Sequence, residues 1–327
     1  MPSSIFLMGP LLARFGEVIL SKPGGCVIGQ RPIDFHLRGM RALGADIREE
    51  HGYIQCTARR LAGTSITLDF PSVGATENML MAAALADGET VIENAAREPE
   101  VEDLANYLIA CGAKIEGAGR DTVVVRGCSR LSGTRYRIIP DRIVTGTIML
   151  AAAATRGDVT LYGTCPEHLG AVIQKLRDSG VRVDVDRDII RVRCEDTPNA
   201  VDFRTAPFPG FPTDLQAPFM AFLATARGTS VIHESVFEAR FKHVDELLRM
   251  GADISVDLRT AIVRGVRQLS GATVKASDLR GGAALLVAAL AAQGESEVEG
   301  VYHIDRGYQF IETQLSALGA NVERIDV

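Results

Sequence analysis

A glycine-centred phrase recurs five times along this chain, and its spacing limits the fold more than any other feature. An apolar segment of helical character leads into a glycine, most often followed by alanine, and then into a strand-like stretch. The copies span 40–47, 109–115, 176–183, 248–254 and 315–322, with their glycines at 44, 112, 180, 251 and 319. Three of the four intervals are 68 residues and the other is 71. A fixed period of this size marks repeated supersecondary units that bury their apolar faces on one another. Glycine just past a helix supplies the left-handed turn that ends it.

A second glycine series, at 16, 88, 157, 228 and 294, follows alanine-rich apolar segments such as 78–86 and 149–155. Each of these glycines precedes a strand-like run such as 90–93 or 229–233, and alternating stretches such as 122–126 and 261–264 follow the Gly-Ala phrases. Helical and period-2 patterns therefore alternate as a βαβαββ unit, two helices with a small sheet. The first helix of each unit is apolar nearly all round and is expected inside its group of units. The predicted fold is α/β, with residues 1–139 as a first domain and 140–327 as a second. Residues 3–15 already read as a first helix, so five of six units are expected and the first domain is expected to be incomplete.

The length of 327 residues agrees with two domains. A net charge of −6, no tryptophan and no long Lys/Arg run exclude a nucleic-acid footprint. The six cysteines (26, 56, 111, 128, 165, 194) form no CxxC pair, and the histidines form no HxxxH, so neither zinc nor another metal is expected. Scattered cysteines in a long chain point to a reducing, cytoplasmic setting. No segment reaches the ~20 apolar residues that cross a bilayer, and no GxGxxG or P-loop signals a cofactor.

The two glycines of a unit stand 28 residues apart in the first copy and 23–25 apart in the others. The excess falls in Pro23-Gly-Gly-Cys26-Val-Ile-Gly-Gln-Arg31-Pro32. Glycines let such a segment swing and prolines fix its ends, while Lys22 and Arg31 favour thiolate at Cys26. Insertions into repeats map to functional loops. The loops before the helices carry acids, hydroxyls and arginines. Asp141 and Asp278 read as N-caps. Arginine opposes the dipole at a helix start, so Arg31, Arg240, Arg280 and Arg306 call for a bound anion or a neighbouring acid.

Five motifs then stand in order: Pro-Gly-Gly-Cys-x-Ile-Gly-x-Arg-Pro-x-Asp-x-His at 23–36, Pro-Ser-Val-Gly-Ala-Thr-Glu-Asn at 71–78, Glu-Asn-Ala-Ala-Arg-Glu-Pro-Glu at 93–100, Phe-Pro-Thr-Asp-x-Gln-Ala at 211–217 and Tyr-His-Ile-Asp-Arg-Gly-Tyr at 302–308. Together they resemble the UDP-N-acetylglucosamine branch of the enolpyruvyl transferase family, over essentially the whole chain. Shikimate-pathway members share the fold but lack the Pro-Gly-Gly-Cys loop. The resemblance implies two inverse α/β, barrel-like domains of three units each, with the active site in the cleft and 23–32 as its lid. It implies transfer of the enolpyruvyl group of phosphoenolpyruvate to the 3-hydroxyl of UDP-N-acetylglucosamine, releasing phosphate. That is the first committed step of peptidoglycan synthesis, serving cell-wall formation, cell shape and division in the cytoplasm. The family is monomeric, uses no cofactor and is the target of the epoxide antibiotic fosfomycin.

By the same resemblance, Cys26 donates a proton and Asp214 binds the 3-hydroxyl and acts as base. Arg31, Arg240, Arg280 and Arg306 would hold phosphoenolpyruvate. Arg31, Pro32, Ile33, Asp34, Phe35, Ser72, Val73, Gly74 and Val236 would line the sugar-nucleotide site. Two departures stand out. The family's N-terminal Lys-Asn pair has no counterpart, and Met1-Pro2 replaces its Met-Arg. Two readings follow: an active transferase, with the missing unit supplied by another chain where needed, or a fragment that binds ligand without turnover. Apolar helix surface on the incomplete domain is expected to favour association.

Overall fold

The computed structural model describes residues 2–22 and 33–325, residues 2 and 3 by backbone alone. Cys26, Arg31 and Pro32, with the rest of 23–32, lie outside the described residues. The chain divides into two compact units between Ile139 and Pro140.

In the first unit a 3-10 turn, Pro2–Leu7, runs into α1 (Met8–Phe15). The single helix expected at 3–15 is thus tighter in its first half. Then come β1 (Glu17–Ser21), α2 (Asp34–Ala42), β2 (Asp46–Glu50) and β3 (Tyr53–Thr57). The next repeat holds β4 (Ser65–Thr67), α3 (Val73–Ala83), β5 (Glu89–Glu93), α4 (Pro99–Ala110), β6 (Lys114–Glu116) and β7 (Thr122–Arg126). Its sheet order is β4-β5-β7-β6, with β4 parallel to β5 and the other pairs antiparallel. The preceding sheet, β1-β3-β2, is antiparallel throughout. Seven of the eleven residues of α3 are buried, among them Met79, Leu80 and three alanines, and it packs on α1, α2 and α4. Small side chains on several faces are what let one helix meet three neighbours.

The second unit begins with α5 (Arg142–Ala154), β8 (Asp158–Leu161), α6 (Gly170–Asp178), β9 (Arg182–Asp186) and β10 (Ile189–Arg193). It continues with β11 (Phe203–Arg204), a 3-10 turn Thr213–Leu215, α7 (Gln216–Leu223), β12 (Thr229–His233), α8 (Val244–Arg249), β13 (Asp253–Asp257) and β14 (Thr260–Arg264). Last come β15 (Thr273–Lys275), α9 (Leu279–Ala291), β16 (Glu297–Glu299), α10 (Tyr302–Asp305) and α11 (Ile311–Ala317). The sheet orders are β8-β10-β9, β11-β12-β14-β13 and β15-β16. The complete repeat thus has the same strand order as its counterpart in the first unit. Helices α5, α7 and α9 pack pairwise at the centre, and every residue of α7 is buried.

The repeated glycines behave as the phrase requires. Those at 44, 112, 180, 251 and 319 have φ between +86° and +102°, a region costly for any residue with a Cβ. The second series is less uniform. Gly16 ends α1 directly, but Gly88, Gly228 and Gly294 sit three to five residues past their helices and turn the chain into its strand. At Gly157 the left-handed residue is instead Arg156, with φ +55°, and Gly157 N–H closes the turn on Ala152 O at 2.8 Å. The strand expected after Gly319 does not form. After the other four phrases that strand pairs with the one following it, and no strand follows Gly319 among the described residues.

Candidate active site

Three predicted residues meet in the second unit. Asp214 lies in the 3-10 turn leading into α7, Arg280 is the second residue of α9, and Arg240 stands in the loop before α8. Packing of α7 on α9 brings the first two together. Arg240 Nη2 donates to Asp214 Oδ1 at 2.6 Å, while Arg280 Nε and Nη2 both donate to Oδ2, at 3.2 and 2.9 Å. The arginine side chains are 5% and 15% exposed and that of Asp214 is 37% exposed, so only the carboxylate is open. Asp214 is the neighbouring acid that an arginine at a helix start demands. Asp278 caps α9, its Oδ1 accepting from Arg280 N and Gly281 N, and Asp141 caps α5 in the same way.

Burial by itself would raise the proton affinity of Asp214. The Arg240 and Arg280 guanidiniums reverse that and hold its carboxyl well below the usual carboxylate range. Two guanidiniums against one carboxylate leave an excess positive charge. Each arginine is also braced from behind. Arg280 Nη1 donates to Tyr308 Oη at 3.2 Å and its guanidinium lies 5.5 Å from that ring. Arg240 Nη1 donates to Thr213 Oγ1 at 3.0 Å, and its guanidinium lies 4.9 Å from the Phe237 ring. Val236 precedes Phe237 in the chain, and its N–H donates to Glu234 Oε1 at 2.8 Å. His243 is buried nearby, and burial pushes it down to about 4, only partly offset by Asp278.

Arg306 does not join this cluster. It is exposed at the C-terminal end of α10, where the helix dipole favours a cation, and makes no ion pair with a described residue.

In the first unit the other predicted stretches open two adjacent helices. Asp34 and Phe35 begin α2, just after Ile33. Val73 and Gly74 begin α3, whose N-cap Ser72 accepts from Ala75 N. A Cβ on Gly74 would come within 3.1 Å of Phe6 Cζ and 3.3 Å of His36 Cε1, so the two helix starts nearly touch. Asn78 ties them: its Nδ2 lies 3.0 Å from His36 Nδ1 and donates to Ile5 O, while its Oδ1 accepts from Gly9 N. An amide nitrogen can only donate, so His36 Nδ1 accepts and the ring is neutral. Burial pushes His36 to about 4, against the raising effect of Asp34. Paired helix starts present free N–H groups and positive dipole ends, a setting suited to an anionic group.

The sequence did not single out Glu77, Thr213, Glu234 or Tyr308. Glu77, Thr213 and Tyr308 lie inside the quoted 71–78, 211–217 and 302–308 motifs, a signal that could have found them. Glu77 is raised to about 7, by burial first and then by Glu100 and Glu98. Among the described residues no three His, Cys, Asp or Glu side chains gather to hold a metal, and no helix is long and apolar enough to cross a membrane.

The sequence matches the EPSP synthase (3-phosphoshikimate 1-carboxyvinyltransferase) family over residues 1–315. A UDP-N-acetylglucosamine 1-carboxyvinyltransferase from Trichlorobacter lovleyi is 53% identical over 326 residues, which are 99% of this chain and 78% of that protein. UDP-N-acetylglucosamine 1-carboxyvinyltransferase 2 from Caldanaerobacter subterraneus subsp. tengcongensis matches to the same extent. The enolpyruvyl transferase NikO from Streptomyces tendae superposes with a TM-score of 0.87 at 28% identity, covering 99% of this chain and 77% of that one. EPSP synthase from Acinetobacter baumannii gives 0.73 at 20% identity over 97% and 78% of the two chains, a likeness of fold alone. Matched along nearly its whole length, the chain belongs to the carboxyvinyltransferase family, on the branch of the UDP-N-acetylglucosamine enzymes.

Proposed function

We propose that this chain transfers the enolpyruvyl group of phosphoenolpyruvate to the 3-hydroxyl of UDP-N-acetylglucosamine and releases phosphate. The observation that carries this reading is Asp214 gripped by Arg240 and Arg280, in a chain 53% identical to proteins named for that reaction. Addition requires a proton on the methylene carbon of phosphoenolpyruvate and the loss of one from the sugar hydroxyl. Elimination of phosphate then removes a proton from the new methyl carbon. Cys26 is the proposed donor and Asp214 the proposed base. Asp214 is a weak base while both arginines hold it, so the anionic substrate has to draw them away first. Arg240 and Arg280, joined by Arg31 and Arg306, would take its phosphate and carboxylate and stabilise charge developing in the transition state. The helix starts at 33–35 and 72–74, with Arg31, Pro32 and Val236, would hold the sugar nucleotide. The product would feed peptidoglycan synthesis in the cytoplasm.

Phosphate release from the two substrates together, measured against each alone, tests the reaction. Rates equal to the blank would overturn it and leave ligand binding only. Epoxide alkylation of Cys26 should accelerate when UDP-N-acetylglucosamine is added, and labelling indifferent to that ligand would remove Cys26 from the proposed role.

A further inference from the structure

Glu234 follows β12 directly and is 1% exposed. Its Oε1 accepts from Thr205 Oγ1 at 2.9 Å, Val236 N at 2.8 Å and Phe237 N at 3.1 Å, and its Oε2 accepts from Thr213 Oγ1 at 2.9 Å. A buried carboxylate is costly to desolvate, and four donors converging on it offset that cost. Thr213 gives its one hydroxyl hydrogen to Glu234, so it receives Arg240 Nη1 through a lone pair. Arg240 thus sits between two carboxylates, Asp214 directly and Glu234 through one hydroxyl.

The fold itself does not ask for an acid there. In each of four repeats one residue donates its N–H to the carbonyl just before the return strand of the hairpin. These are Lys22 to Gly52 O, Ala95 to Asp121 O, Thr164 to Asp188 O and Glu234 to Arg259 O, at 2.7, 2.8, 2.9 and 2.8 Å. Lys22 is exposed and the other three are buried. Lysine, alanine and threonine satisfy the repeat at this place, and the acid occurs in the one whose neighbours are Arg240 and Asp214.

We propose that Glu234 is a positioning residue that fixes the Arg240 guanidinium through Thr213 for binding of phosphoenolpyruvate. This rests on the proposed function above. One oxygen sets the turn carrying Val236 and Phe237, and the other orients the hydroxyl on which Arg240 leans. Glu234→Gln keeps the shape and an oxygen for the turn but removes the charge behind Thr213. Thr213→Val breaks the relay but keeps the Glu234 charge and the three donors on its Oε1, and Thr213→Ser preserves it.

The test measures phosphoenolpyruvate binding by calorimetry and the KM of both substrates. E234Q and T213V should each weaken binding and raise the KM of phosphoenolpyruvate about 10-fold, the scale of a misplaced binding group. The KM of UDP-N-acetylglucosamine should stay within about twofold, and T213S should resemble the wild type. Should E234Q fail to fold, T213V decides. Unchanged phosphoenolpyruvate affinity in a folded variant, or both KM values rising together, overturns the inference and leaves the functional reading standing. A wild-type chain that neither binds phosphoenolpyruvate nor turns over removes the functional reading, and the inference with it.

Discussion

Tyr308 Oη lies 2.9 Å from Thr147 Oγ1, joining residues 161 positions apart in the chain. Thr147 spends its own hydrogen on Ile143 O at 2.8 Å, so the phenol donates to Thr147 and accepts from Arg280. A single directed chain therefore runs from the Arg280 guanidinium into the first turn of α5.

Tyr308→Phe should expose the worth of that chain. It leaves the buried Arg280 Nη1 and Thr147 Oγ1 each short of a partner, which costs about 1–3 kcal/mol. Urea denaturation should show a lower midpoint with the denaturant slope unchanged. Wild-type stability in this variant would mean that the chain carries no energy.

Asp214→Asn should lower kcat at least ~100-fold, the usual range for losing a positioned base. Its stability should also depend on pH in a particular direction. The folded carboxyl of Asp214 is depressed, so its contribution is present above the unfolded value of about 3.9 and fades as pH falls below it. The melting-temperature gap between wild type and D214N should be widest near neutrality and should narrow below pH ~4. An equal gap at pH 7 and pH 3 would contradict the pairing.

His36 and His243 are both lowered to about 4 by burial. The unfolded chain binds these protons from about pH 6.5 downward, so stability present above that value is lost as pH falls toward 4. The loss is about 3 kcal/mol per histidine at pH 4. Replacing His36 by Gln should flatten the stability–pH curve of the first unit between pH 6.5 and 4. A curve as steep as that of the wild type would assign the slope elsewhere.

Glu77→Gln should act in the opposite sense. The folded carboxyl titrates near 7 and the unfolded one near 4.3, so ionisation destabilises the fold as pH rises through that window. E77Q should be about 3.5 kcal/mol more stable than wild type at pH 8, with the difference nearly gone by pH ~4. Thermal melts at the two pH values decide it.

The architecture was legible because Gly44, Gly112, Gly180, Gly251 and Gly319 each meet a backbone demand that other residues satisfy only with strain. Period and phrase together carried the helix–strand order through them. The strand expected after Gly319 failed for a non-local reason, since a strand needs a partner and residue pattern does not provide one. Arg156 taking the place of Gly157 shows the same limit on a smaller scale, since the helix-ending turn closes one residue ahead of the glycine. In the site, Arg240 and Arg280 could be suspected from their conflict with helix dipoles, and Asp214 resolves that conflict. Arg306 raised the same suspicion, and a one-turn helix ahead of it removed the conflict. Glu234 left no local trace. Its burial depends on Thr205, Thr213 and the 236–237 turn, which only the folded chain assembles.

The grip of Arg240 and Arg280 on Asp214 also bears on which solutes can reach those arginines. A carboxylate tethered to the same scaffold competes at an effective concentration in the millimolar range or above. Chloride or a simple monocarboxylate must outbid it from solution with a single charged group. A small molecule carrying two anionic groups can engage both forks at once and win that contest. The site thus carries its own gatekeeper, tuned by valence rather than by shape.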